Sequence, residues 1–171
     1  MKGFWLGVGT TLVALVVGAF AIMGLGLVPV SADASPGAIE EWLAGFARDA
    51  AIERAAPEGE SPVAPTAEAL ANAAPLYRDH CAGCHGSPST QDNVFAASLY
   101  PPAPQFLGAK APKHLHDSDG EMFVVIRNGI RLTGMPTSTR MLKDGEIWQL
   151  VTFLKHLDEL PPEAIAAFGA H

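Results

Sequence analysis

Residues 81–85 read Cys81-Ala82-Gly83-Cys84-His85 and hold both cysteines of the chain. Two thiols one helical turn apart can each add to a vinyl group of one haem, while the next residue aims its imidazole at the iron from the same side. A thioredoxin-like thiol pair would need an α/β pattern around Cys-x-x-Cys, and a structural zinc site would need a second ligand pair. The sequence supplies neither, and two cysteines make no disulfide framework. It therefore predicts one covalently bound haem c, attached through Cys81 and Cys84, with His85 as an iron ligand. The opposite face of such iron can be filled by Met122, Met135, Met141, His80, His114, His116, His156 or His171. Met135 is the best placed, in Leu132-Thr133-Gly134-Met135-Pro136. There the glycine permits close backbone approach to a flat ring, and Pro136 biases Met135 away from helix. A histidine such as His114 or His116 is its chief rival.

Outside that motif, 171 residues with a net charge of −7 suit one compact domain plus an accessory segment, which excludes a multidomain catalytic machine. With no dense Lys/Arg cluster, no nucleic-acid partner is expected. From Gly3 to Ala32 the chain has no charged residue. As a helix, Phe4 to Val28 would reach roughly 38 Å, more than the ~30 Å hydrocarbon core requires. Lys2 precedes it and the first acid is Asp33, so the N-terminus belongs in the cytoplasm and everything after about residue 31 is exported. Val30-Ser31-Ala32 and Ala32-Asp33-Ala34 resemble cleavage sites. The apolar run exceeds the roughly 7–15 residues of a secretory signal, which favours a retained anchor.

Beyond the anchor, Ser35 and Pro36 predict a helix running to about Ala56. Its apolar face is Ile39, Trp42, Leu43, Phe46 and Ala50. That stripe either packs on the protein's own domain or docks to a membrane partner; its acidity suits anionic lipid poorly. Pro57 to Thr66 reads as an extended spacer. Ser118-x-x-Glu121 predicts a capping box and Gly129 a helix stop, with Met122 as core filler between them and Met141 also packing. Asp144 is placed to cap a last helix with Ile147, Leu150, Val151, Leu154 and Leu157 on its apolar face. The divisions are 1–31 anchor, 32–65 amphipathic helix and Pro-rich linker, 66–162 haem domain and 163–171 tail.

Across Ala69 to Leu160 the chain resembles bacterial class I cytochromes c, specifically the membrane-anchored, single-haem kind. The likeness is strongest at Leu76-Tyr77-Arg78-Asp79-His80-Cys81-Ala82-Gly83-Cys84-His85-Gly86 and Ile126-Arg127-Asn128-Gly129-Ile130-Arg131-Leu132-Thr133-Gly134-Met135-Pro136. The resemblance implies an all-α fold wrapped around one haem, in which Ala73 and Tyr77 of one helix cross Leu150 and Phe153 of another. It implies that the Pro104 carbonyl orients His85, with Pro102 as the alternative, and that Phe106 lies against the haem. It also implies a single-pass protein of the bacterial inner membrane, its haem domain periplasmic, working with membrane-bound electron donor and acceptor complexes. Two residues depart from the family. Ala73 stands where glycine is usual, and Pro75 lies inside the helix leading to Cys81, which should begin or kink there.

Histidine and thioether ligands make iron low-spin and six-coordinate, so the expected role is a carrier of single electrons rather than an enzyme. Phe106, Phe123, Ile126, Ile130 and Leu132 are the expected pocket, and Arg127, Arg131, Arg140 and Lys143 a positive patch around Met135. Two other readings are a haem-based sensor or peroxidase-like enzyme with a labile sixth ligand, and an assembly protein whose thiols carry no haem.

Overall fold

The computed structural model describes residues 1–32, 34–88, 93–107 and 117–169, and among these it is helical with no β-strand. Two units separate, Met1–Ser35 and Pro36–His171. The first is essentially α1 (Lys2–Gly24), a 23-residue apolar helix with no buried residue, long and apolar enough to cross a membrane. Its two hydroxyl side chains, Thr10 and Thr11, donate to the carbonyls of Leu6 and Gly7, so neither hydroxyl is left seeking water. The helix stops at Gly24, short of the expected Val28, and Gly26 then takes a left-handed φ of 68°.

In the second unit, α2 (Ala38–Ala55) starts two residues later than Pro36, with Gly37 at its N-cap. α3 (Ala67–His80) is capped by the Thr66 hydroxyl, which accepts from the Ala69 N–H. It continues through Pro75, so it does not begin there; the proline removes the donor that would have served Ala71. α4 (Ala82–His85) and α5 (Val94–Ala97) are single turns. α6 (Asp119–Asn128) opens with the expected capping box of Ser118 and Glu121 and ends at Gly129. α7 (Asp144–Lys155) has Lys143, not Asp144, at its N-cap; the Glu146 carboxylate accepts the Lys143 N–H at 2.7 Å. Asp144 instead pairs with the Arg127 guanidinium at 2.9 Å.

The core forms where α3 crosses α7. Ala73, Tyr77, Leu150 and Phe153 have no solvent exposure, and the Tyr77 and Phe153 rings lie 5.6 Å apart. A side chain as small as alanine at 73 lets the helices meet, and each large side chain sealed there contributes about 1.5–3 kcal/mol. Residues 163–171, expected as a tail, largely belong to α8 (Pro162–Gly169). Its Phe168 stands edge-on to both Tyr77 and Phe153, at 5.2 and 5.6 Å. The Arg78 guanidinium donates to the Ala167 carbonyl near the helix end.

Residues 57–63, expected as part of an extended spacer, lie against α6 and α7. The Ser61 N–H donates to Asp119 at 2.7 Å, Lys155 donates to the same carboxylate, and Thr152 donates to the Val63 carbonyl. A Cβ at Gly120 would collide with the Pro57 carbonyl, so the strap sits where only glycine leaves room.

Candidate cofactor site

Cys81 closes α3, and its carbonyl accepts from both the Cys84 and His85 N–H groups, which winds residues 81–85 into one turn. Both thiols and the imidazole therefore project from a single turn beyond α3. A helix this short leaves its last carbonyls without internal donors, and the rest of the domain supplies them. Asn93 Nδ2 donates to Gly83, Gln105 Nε2 to Cys84, the Phe106 N–H to His85 and the buried Tyr77 hydroxyl to Gly86. Gly86, at φ 86°, turns the chain away immediately afterwards.

His85 Nδ1 lies 2.8 Å from the Pro104 carbonyl. A carbonyl only accepts, so Nδ1 carries the proton and Nε2 keeps its lone pair. Of the two prolines considered for this contact, it is Pro104 that makes it. The Phe106 ring stacks on the His85 imidazole, 4.3 Å away and within 3° of parallel. Burial holds the His85 pKa below its ordinary value against the opposing bond to Pro104, which favours the neutral ring. The Cys81 thiol is pushed up to about 12 by burial and by neighbouring Cys84. That is opposite to the lowered pKa of a redox-active thiol. Neither cysteine is in a disulfide. Two free thiols, and a neutral imidazole whose second nitrogen is tied back, are the donor set that covalent haem requires, so these residues fit the group.

Met135 is half-buried in a loop clamped to the end of α6. The Ile130 N–H donates to the Met135 carbonyl, the Thr133 hydroxyl receives the Met135 N–H, and the Ser138 N–H and Thr137 hydroxyl both reach the Arg127 carbonyl. Gly129, at φ 66°, lies so close that a Cβ there would come within 2.6 Å of the Met135 and Pro136 carbonyls. One residue before Met135, a Cβ on Gly134 would meet the Leu99 methyls at 2.9 Å. The loop is thus pressed on the segment that follows the Cys81–His85 turn.

The other candidate ligands separate from these. Met122 is buried at 7% exposure in the core, as expected, whereas Met141, expected to pack, is 52% exposed. His156 Nδ1 lies against the Thr152 carbonyl of α7, just before it, and His80 is exposed. His114, His116 and His171 lie outside the described residues. Of the expected pocket, Phe123 and Ile126 are buried, with Phe123 stacked on Trp148 at 4.2 Å. Leu132, at a left-handed φ of 64°, has little protein against it and is 90% exposed. Arg127, expected in a positive patch around Met135, is paired with Asp144.

Asn93, Gln105 and Leu99 were missed by the sequence reading. Asn93 had a readable signal as the N-cap residue before α5, whose Ala96 N–H it binds. Gln105 and Leu99 had none, since their partners lie 21 and 35 positions away in the chain. A sequence-family model described as cytochrome c oxidase, cbb3-type, subunit III matches residues 68–154. The search of curated proteins returned no match.

Proposed function

Since the chain belongs to the family described as cytochrome c oxidase, cbb3-type, subunit III, and its domain is a cytochrome c domain of haem-based electron transfer, we propose that it is a membrane-anchored, single-haem electron carrier working with a terminal oxidase. Cys81 and Cys84 attach the haem, His85 and Met135 ligate its iron, and α1 holds the domain on the periplasmic face of the inner membrane. When bound, haem c supplies a one-electron couple. One haem is the number supported, because both cysteines lie in one motif.

The single observation that carries this reading is the His85 Nδ1 to Pro104 carbonyl bond. It fixes the tautomer, aims Nε2 away from the carbonyl and raises the basicity of the ligand. Phe106, flat against the same ring, restricts its rotation. Hydrogen bonds to its backbone N–H and carbonyl hold Met135 in its loop, and its thioether would hold the iron and favour the ferrous state. Tethering to the membrane raises the local concentration of the domain near membrane-bound donor and acceptor complexes.

The test is the visible spectrum of the exported protein in both oxidation states, with and without carbon monoxide. A low-spin c-type spectrum indifferent to carbon monoxide, with the weak red band of methionine bound to ferric iron, is the expected result. Ready binding of carbon monoxide would overturn the carrier reading in favour of sensing or catalysis.

A further inference from the structure

α2 presents two distinct apolar surfaces. Gly45, Ile52 and Ala56 are half-buried on the side that meets α6, and Glu40 at its other end accepts a hydrogen bond from the Tyr100 hydroxyl at 3.1 Å. Roughly 120° around the helix, Ile39, Trp42, Leu43 and Phe46 form a stripe at i, i+3, i+4 and i+7. They are 80%, 69%, 55% and 65% exposed, with the Trp42 and Phe46 rings stacked. The domain's own core leaves this stripe uncovered, so of the two expectations for it, packing on the protein's own domain is the one the structure does not bear out.

We infer that the Ile39–Trp42–Leu43–Phe46 face rests on the surface of a zwitterionic bilayer, in the same membrane that α1 crosses. The inference rests on the reading of α1 as a retained anchor. Residues 25–37 join the two helices and span at most about 45 Å fully extended, so α2 never leaves the neighbourhood of that membrane. An indole paired with a phenyl ring suits the interface, where one edge is apolar and the other wet. Glu40, Glu41, Asp49 and Glu53 outnumber Arg48 and Arg54, so anionic headgroups offer no attraction and the apolar stripe carries the contact. A second copy of the chain is the weaker occupant, since four side chains fall far short of the roughly 20–30 residues a side of a stable protein interface. Because Tyr100 ties α2 to the loop bearing Pro104 and Phe106, docking here would also set how the His85 site faces the membrane.

The test uses the full-length, haem-loaded protein in phosphatidylcholine vesicles, with benzoylphenylalanine replacing Phe46, Arg48 or Leu15, one position per sample. Irradiation and mass spectrometry then identify what each position touches. The expected result is a phospholipid adduct at positions 46 and 15 and its loss at 48, on the opposite side of α2. A lipid adduct at 15 with none at 46, equal adducts at 46 and 48, or a protein–protein adduct at 46 overturns the bilayer assignment while the anchor stands. No lipid adduct at 15 overturns the anchor and this inference with it. Phe46, Arg48 and Leu15 are all exposed, so none of the replacements disturbs the core.

Discussion

Tyr77 is fully buried and spends its hydroxyl on the Gly86 carbonyl, the residue that ends the Cys81–His85 turn. In Tyr77→Phe that carbonyl stays buried with no donor from residue 77, at a cost of about 1–3 kcal/mol. Chemical denaturation of the haem-loaded protein measures it, and an unchanged midpoint would mean that water replaces the hydroxyl. Met135 is a different kind of residue, since little of the core rests on it. Met135→Ala is expected to leave the fold intact, admit carbon monoxide and lower the reduction potential, because a soft sulfur no longer favours ferrous iron. An unchanged spectrum and potential would put the sixth ligand elsewhere. At this scale the turn was legible, since Cys81, Cys84 and His85 are neighbours in the chain. The donors to its carbonyls were not, because Gln105 reaches Cys84 only once the intervening loop has folded back.

Among the elements, α8 and the 57–63 strap are two that local pattern missed. α8 has only eight residues and would be marginal alone; it exists because Ala164 and Phe168 are sealed against α3 and α7. Phe168→Ala, which empties the space beside Tyr77 and Phe153, is expected to cost about 3–5 kcal/mol. Thermal melts of the variant check this. The strap hangs on Asp119. Burial works to raise that carboxyl's pKa, but the bonds from Lys155 and the Ser61 N–H outweigh it and hold the value below the ordinary 3.8. A depressed folded pKa means that the unfolded chain binds the proton more readily. The stability it gives is therefore present above the ordinary value and lost as pH falls through the folded one. Hydrogen exchange at residues 57–63 should accelerate on acidification below about pH 4, ahead of α3 and α7, and the Asp119→Asn variant should lack that acid step. If the segment exchanges alike in both proteins, Asp119 does not hold it.

For the whole molecule, the haem is expected to be a structural member as well as a cofactor. A domain of about a hundred residues folds with little to spare, and a group that binds only the native state adds its binding energy to stability. The Cys81→Ala, Cys84→Ala double variant should lose covalent haem and lose cooperative thermal unfolding; recovery of a cooperatively folded, haem-free protein would contradict this. The all-helical class came with the family resemblance, whereas the sequence by itself determined the apolar span of α1, the Cys81–His85 turn, and the capping box of α6 with its stop at Gly129. Each of these is written in contiguous residues, where spacing and side-chain type suffice. Only the tertiary structure decided that Asp144 serves Arg127 rather than a helix end, that residues 57–63 lie on α6 and α7, that Met141 stays half-exposed, and that α2 keeps its aromatic stripe outside the core. These depend on which distant surfaces meet, and a helical period gives the apolar side of an element without saying what will cover it.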